Sequence, residues 1–152
     1  MRWESNISIG QNTGKDDLIR SGNQYSALDR KTVLVVEDIS SNYLLISAML
    51  SKHYNLLHAV NGEQAVAMVK EYKIDLLLMD MKMPVMDGLT ATAEIRKFDT
   101  NIPIVALTAH AFESDKVAAL KSGCNDYLVK PVDKARLMSV LRKYCHPSTL
   151  IL

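Results

Sequence analysis

From residue 31 onward the chain alternates short apolar runs with segments of helix length, and that alternation leaves few folds open. Runs at 33–36, 56–60, 74–79, 102–108 and 127–129 have strand length and are β-rich or continuously apolar. Helix-length segments at 41–51, 63–72, 88–97, 112–122 and 133–144 follow them in turn. Alternation of this kind builds a parallel sheet with helical crossovers, and helices on both faces require strands that read as unbroken apolar runs. Asn55 and His58 mark the second run as an edge strand, and Asp126-Tyr127 marks the fifth, because edges tolerate polar residues. The last helix carries one apolar stripe, Leu137, Val140, Leu141 and Tyr144 at i, i+3, i+4 and i+7, with Lys134, Arg136, Arg142 and Lys143 on the remaining surface. Gly123 is placed as a left-handed C-cap of the fourth helix and Asp133 as the N-cap of the fifth.

Of 152 residues 48% are hydrophobic and 23% charged, enough apolar material for one compact domain and little more. Residues 1–30 hold Gly10, Gly14, Gly22 and many Ser, Asn and Gln without a sustained period, so they read as a flexible linker or N-terminal arm in which Trp3, Ile7, Ile9, Leu18 and Ile19 are scattered apolar residues. Residues 31–145 form the domain and 146–152 a C-terminal tail. Eighteen basic against seventeen acidic residues leave a formal charge of +1 and no Lys/Arg cluster is interleaved with aromatics, so neither a phosphate-tracking surface nor direct contact with nucleic acid is expected. Cys124 and Cys145 are too few and too far apart for a disulfide framework or a metal motif, which fits a reducing cytoplasm. No apolar run reaches the ~18 residues of a membrane helix, so no membrane contact by this segment is expected.

The third run stops abruptly at a carboxylate, Asp80, and Met81-Lys82-Met83-Pro84-Val85-Met86-Asp87-Gly88 follows. Strand ends facing helix N-termini are where open α/β sheets hold ligands. Other junctions carry chemistry at the same edge. Glu37-Asp38 ends the first strand, Thr108 the fourth and Lys130 the fifth. With the first strand beside the third, Glu37, Asp38 and Asp80 crowd together, and such a cluster repels itself unless a cation is present. An all-oxygen donor set suits Mg²⁺, which takes one or two carboxylates plus a substrate phosphate. Lys130 is a point charge able to neutralise a phosphoryl oxygen, and the Lys130-Pro131 bond can be cis in a tight turn. Thr108 offers a hydroxyl at the same edge.

Taken together, Val35-Val36-Glu37-Asp38, the stretch from Asp80 to Gly88, Ala106-Leu107-Thr108-Ala109 and Tyr127-Leu128-Val129-Lys130-Pro131 resemble the response-regulator receiver domains of two-component phosphorelays, in family order and at family spacing over residues 32–144. The version Ala106-Leu107-Thr108-Ala109-His110-Ala111 resembles that of receiver modules in hybrid histidine kinases. The resemblance implies a flavodoxin-like, doubly wound, five-stranded parallel α/β sheet with strand order 2-1-3-4-5 and five helices. It implies Asp80 as phosphoacceptor, Asp38 as a direct Mg²⁺ ligand, Glu37 acting through a water on the ion, and the backbone carbonyl of Lys82 as a further ligand. Lys130 would pair with the phosphoryl group, while Thr108 and Tyr127 would form a switch read out on the face built from the fourth helix, fifth strand and fifth helix. Glu37 stands where the family often has Asp, which lengthens that arm by one methylene.

The expected function is acceptance of a phosphoryl group from phosphohistidine of a histidine kinase or histidine phosphotransfer domain, in two-component signal transduction. The domain would catalyse its own phosphorylation and dephosphorylation, and as a module of a hybrid protein it would belong to a histidine kinase tethered to the inner membrane. The polar amino-terminal stretch points to the hybrid, Met1 to a stand-alone protein. Lys82 and His110, each two residues beyond a site residue, are expected to tune the phosphoryl lifetime by governing access of hydrolytic water. Two other functions compete. A Mg²⁺-dependent aspartate-nucleophile phosphohydrolase would carry Asp-x-Asp after its first strand, where this chain has adjacent acids, and a phosphorylation-independent binding module would not need Asp80, Lys130 and Thr108 together. A dinucleotide-binding fold fails for want of a Gly-rich loop after the first strand.

Overall fold

The computed structural model of the protein describes residues 30–146. The expected arm, apart from Arg30, and the tail beyond His146 lie outside the described residues. Five strands, β1 (Thr32–Val36), β2 (Asn55–Ala59), β3 (Leu76–Asp80), β4 (Ile104–Thr108) and β5 (Asp126–Val129), alternate with five helices, α1 (Ser40–Leu50), α2 (Gly62–Glu71), α3 (Gly88–Arg96), α4 (Glu113–Ser122) and α5 (Lys134–Tyr144). The sheet is parallel in the order β2-β1-β3-β4-β5, with β2 and β5 at the edges as their polar residues foretold.

Alternation along the central strands divides the core in two. Leu34, Val36, Leu77, Met79, Ile104 and Ala106 pack with Ala65, Met68, Ala91, Ile95 and Ala119 of α2, α3 and α4. Val33, Val35, Leu76, Leu78, Val105 and Leu107 pack with Ile46 and Leu50 of α1 and Leu137 and Leu141 of α5. Successive strand residues point to opposite faces, so a run apolar at every position must be covered on both sides, which is the doubly wound arrangement. The methionines of the β3 region serve this packing: Met79 and Met81 are buried, and Met83 and Met86 lie against the same core.

Two strands begin later than their apolar runs. At β3 the Asp75 carboxylate accepts the Thr32 N–H at 2.8 Å and the Asp75 N–H reaches the Thr32 carbonyl at 2.8 Å, an exchange with the start of β1 that precedes regular pairing at Leu76. At β4 Pro103 has no N–H to give, and Ile102 donates its own to Asp99 Oδ1 at 3.0 Å, so the strand starts at Ile104.

Three of the five helices, α2, α3 and α5, start where a side chain caps them. Asn61 Oδ1 accepts from Gln64 N at 2.8 Å while Gln64 Oε1 accepts from Val60 N at 2.9 Å, a reciprocal cap. Asp87 caps α3 through Thr90 N at 2.8 Å, and Asp133 caps α5 through Arg136 N at 3.0 Å, each contact contributing about 0.5–2 kcal/mol. Gly123 closes α4 at φ 118°, the left-handed region, and a Cβ there would lie 2.7 Å from Arg96 Cγ. Arg96 secures this turn, donating to the Gly123 carbonyl at 3.0 Å and to Asn125 Oδ1 at 2.9 Å.

Candidate active site

Because β1 lies beside β3 with Val36 opposite Met79, the residues that follow them emerge together at the carboxyl edge of the sheet. One carboxylate oxygen each of Glu37, Asp38 and Asp80 lies within 4.8 Å of the other two. Lys130, one residue past β5, reaches across: its Nζ is 3.0 Å from Glu37 Oε2 and 3.1 Å from Asp80 Oδ2. The Lys130-Pro131 bond is cis. Glu37 Oε1 accepts the Ile39 N–H at 3.2 Å, and Asp80 Oδ1 accepts the Lys82 N–H at 3.2 Å.

The charges are unequally compensated. Burial, then the neighbouring Glu37 charge, pushes the Asp80 carboxyl up to about 6, with Lys130 only partly offsetting them. Burial also works against an ionised Glu37, yet the hydrogen bonds from Lys130 and the Ile39 amide outweigh it and hold that carboxyl below its usual range. For Lys130 burial disfavours the ammonium, but contact with Glu37 and Asp80 prevails and raises it.

Asp38 Oδ1 is buried and has no hydrogen-bond partner. Native proteins seldom leave such an oxygen orphaned, since its desolvation goes unrepaid. Three carboxylates against one ammonium, all hard oxygen donors, with one of them unpartnered, fit a divalent cation of the Mg²⁺ type.

The β3–α3 loop that walls the site is tightly drawn. The Met81 N–H continues the ladder to the Leu107 carbonyl at 3.1 Å, and the Gly88 N–H returns to the Met81 carbonyl at 3.1 Å. A Cβ on Gly88 would strike the Asp80 carbonyl and come 2.8 Å from Met81 Cα, so only glycine allows this approach. At its tip Met86 N donates to the Pro84 carbonyl at 2.8 Å across Val85, a three-residue γ-turn that holds the β-branched, exposed Val85 at φ 72°.

The remaining expected residues lie on the other side of Asp80. Thr108 ends β4 and is buried, its hydroxyl donating to the His110 carbonyl at 2.9 Å. It opens with Lys82, Met83, Asp87 and His110 onto a cavity of about 330 Å³. His110 stacks on Phe112 with ring centroids 5.0 Å apart, and its Nδ1 is 3.9 Å from Asp115 Oδ2. Tyr127 pairs with Ala106 on β5 and is half-buried against the α2–α4 side of the core, with Lys116 Nζ 5.0 Å from its ring centroid. Ile39, Leu44 and Leu45 are exposed at and after the start of α1. Thus Glu37, Asp38, Asp80, Lys82 and Lys130 converge on one point, while Thr108 and His110 adjoin it and Tyr127 sits one strand further out.

A sequence model of the family described as "Response regulator receiver domain" matches residues 33–142. The chain belongs to that family. This receiver is 36% identical to Hybrid signal transduction histidine kinase I of Dictyostelium discoideum, over 90% of the chain and 8% of the relative. It is 42% identical to Sensor histidine kinase GacS of Pseudomonas protegens, over 74% of the chain and 13% of the relative. The receiver therefore spans a small part of the curated relatives it matches. Among solved structures it resembles the receiver domain of sensor histidine kinase PA1611 from Pseudomonas aeruginosa, which has a magnesium ion coordinated in its active-site cleft (TM-score 0.71, 39% identity, 75% of this chain and 96% of that one). It also resembles the receiver domain of the Saccharomyces cerevisiae response regulator Ssk1, crystallised with the histidine phosphotransfer protein Ypd1 (TM-score 0.74, 36% identity, 80% of this chain and 93% of that one). The protein is thus a receiver domain of two-component phosphorelay signalling, with the flavodoxin-like order 2-1-3-4-5.

Two features of the receiver site carry no sequence signal. His58 reads only as an edge-strand polar residue, yet its Nε2 lies 2.8 Å from the Glu37 carbonyl oxygen. Val85 reads as loop filler, and nothing local marks it for a positive φ. No helix among the described residues is long and apolar enough to cross a membrane.

Proposed function

We propose that the receiver accepts a phosphoryl group on Asp80 from a phosphohistidine donor, with Lys130 and a Mg²⁺ ion held by Glu37, Asp38, Asp80 and the Lys82 backbone carbonyl. The observation that carries this reading is the convergence of three carboxylates within 4.8 Å with a buried Asp38 oxygen left unpartnered. A bound Mg²⁺ supplies positive charge where two anions must approach. The chain's own residues do the rest. Asp80, ionised at neutral pH, attacks phosphorus in line as the P–N bond to the donor imidazole breaks, and the departing imidazole takes up a proton from solvent. Lys130, already 3.1 Å from Asp80 Oδ2, can follow the developing charge onto a phosphoryl oxygen.

The acyl phosphate carries about −1.5 to −2 of charge where the carboxylate carried −1, and places new acceptor oxygens beside Thr108. Its hydroxyl can then exchange the His110 carbonyl for a phosphoryl oxygen, drawing the β4–α4 loop inward. Ala106 lies opposite Tyr127 and two residues before Thr108, so the two switch residues are diagonal neighbours on one face of β4 and β5. Movement of Thr108 opens space for the Tyr127 ring and alters the α4-β5-α5 surface. Ile39, Leu44 and Leu45, exposed beside the acid pair, offer the donor an apolar docking face, and Leu45 lines a small cleft with Glu37, Lys130 and Pro131. The donor is a histidine kinase or histidine phosphotransfer domain, and the site of action is cytoplasmic.

Incubation with Mg²⁺ and a small phosphodonor, followed by intact-mass spectrometry, tests the reading. The wild type should gain one phosphoryl mass and Asp80→Asn none. Equal labelling of both, or steady turnover of phosphomonoesters without labelling, would reject it.

A further inference from the structure

The β1–β2 ladder ends in an unusual way. Its last regular rung is Val36 opposite Ala59, and the Glu37 N–H still donates to the Ala59 carbonyl at 2.9 Å. The Glu37 carbonyl, the next acceptor along β1, lies 2.8 Å from Nε2 of the His58 side chain. A carbonyl oxygen only accepts, so Nε2 carries the hydrogen and His58 donates. The His58 ring is itself fixed: it lies flat on Tyr43 of α1, centroids 3.8 Å apart and planes within 4°.

We infer that His58 is a positioning residue for the acid pair, its Nε2–H locking the Glu37–Asp38 peptide plane and the Tyr43 ring locking His58. The inference rests on the metal-dependent reading of the site given above. The Glu37 carbonyl belongs to the peptide unit that joins Glu37 to Asp38, so its direction sets where the Asp38 chain begins. Asp38 Oδ1 has no hydrogen bond of its own to hold it, and Glu37 has its carboxylate engaged by Lys130 and the Ile39 amide. Orientation of Asp38 therefore depends on its backbone, and His58 supplies the side-chain contact to that backbone from the neighbouring strand. Outer contacts that orient metal ligands typically change metal affinity about 10–100-fold when removed.

The test compares His58→Phe, which keeps a flat ring for Tyr43 but has no donor, with His58→Gln, which restores an N–H of similar reach. Mg²⁺ dissociation constants are measured by titration calorimetry, unfolding midpoints in urea with EDTA, and phosphorylation by intact mass at limiting and saturating Mg²⁺. His58→Phe should weaken Mg²⁺ binding about tenfold, His58→Gln should recover to within about threefold of wild type, and saturating Mg²⁺ should restore labelling of His58→Phe. A His58→Phe protein that binds Mg²⁺ within twofold of wild type, with only its unfolding midpoint changed, overturns the positioning role. Tyr43→Leu, which loosens the ring and leaves the donor, should weaken binding about threefold, and unchanged binding there overturns the role even where His58→Phe does not fold. Failure of the site reading looks different, because the wild type itself would then bind no Mg²⁺ and gain no phosphoryl mass.

Discussion

Replacing Asp80 by Asn should make the metal-free protein more stable at neutral pH while abolishing its function. Asp80 is 4% exposed, and burial together with the Glu37 charge raises its carboxyl from 3.8 to about 6 even with Lys130 at 3.1 Å. The native state therefore binds this proton more tightly than the unfolded chain. Between pH 3.8 and about 6 the unfolded chain has lost a proton that the native protein keeps, so stability falls as pH rises through that window. Above it the ionised carboxylate burdens the fold in full. At 1.36 kcal/mol per pH unit, the two-unit difference amounts to roughly 3 kcal/mol as an upper figure, and about 1–3 kcal/mol is the expected gain for Asp80→Asn. Asn preserves the volume and an oxygen for the Lys82 N–H, while Lys130 keeps Glu37. Urea unfolding of both proteins in EDTA at pH 7.5 and pH 4 measures the difference. The Asn variant should unfold at higher urea at pH 7.5, and the gap should close toward pH 4. Mg²⁺ at about a hundred times its dissociation constant should then stabilise wild type by ~2.7 kcal/mol and the variant by much less. An Asn variant no more stable than wild type in EDTA at pH 7.5, or a gap that does not shrink on acidification, would refute the electrostatic account of this site.

Two further outcomes are expected. Lys82 and His110 both border the cavity beside Thr108, so a Lys82→Ala, His110→Ala double variant should change the half-life of the phosphorylated protein, read by mass spectrometry over time; equal half-lives would leave both as solvated side chains. Val85→Gly should stabilise the fold by about 1 kcal/mol in urea unfolding, because relief of ~1–3 kcal/mol of strain at φ 72° exceeds the ~0.5–1 kcal/mol entropy loss that Gly brings. A destabilised Val85→Gly would mean that the turn is held without strain.

Much of this molecule is legible in one dimension because its elements are local. Apolar runs and the 3.6-residue stripe of Leu137, Val140, Leu141 and Tyr144 locate strands and helices to within a few residues, and Asp133 and Gly123 announce helix ends, one through a capping carboxylate and the other through its freedom to adopt a positive φ. Where boundaries shifted, the cause was Pro103, which is local, before β4, and before β3 an Asp75–Thr32 exchange between residues 43 positions apart, which no local pattern reports.

The sequence by itself determined the parallel α/β class, the chemistry stationed at each strand end, and through its motifs the family. Only the tertiary structure decided that Glu37, Asp38 and Asp80 share one 4.8 Å neighbourhood, that Lys130 bridges Glu37 and Asp80, and that Asp38 Oδ1 is left without a partner. The contact of His58 with Glu37 belongs to the same group. The physical reason is separation along the chain: these contacts join residues many positions apart through strand register and loop packing, and neither periodicity nor propensity reports on which strands are neighbours.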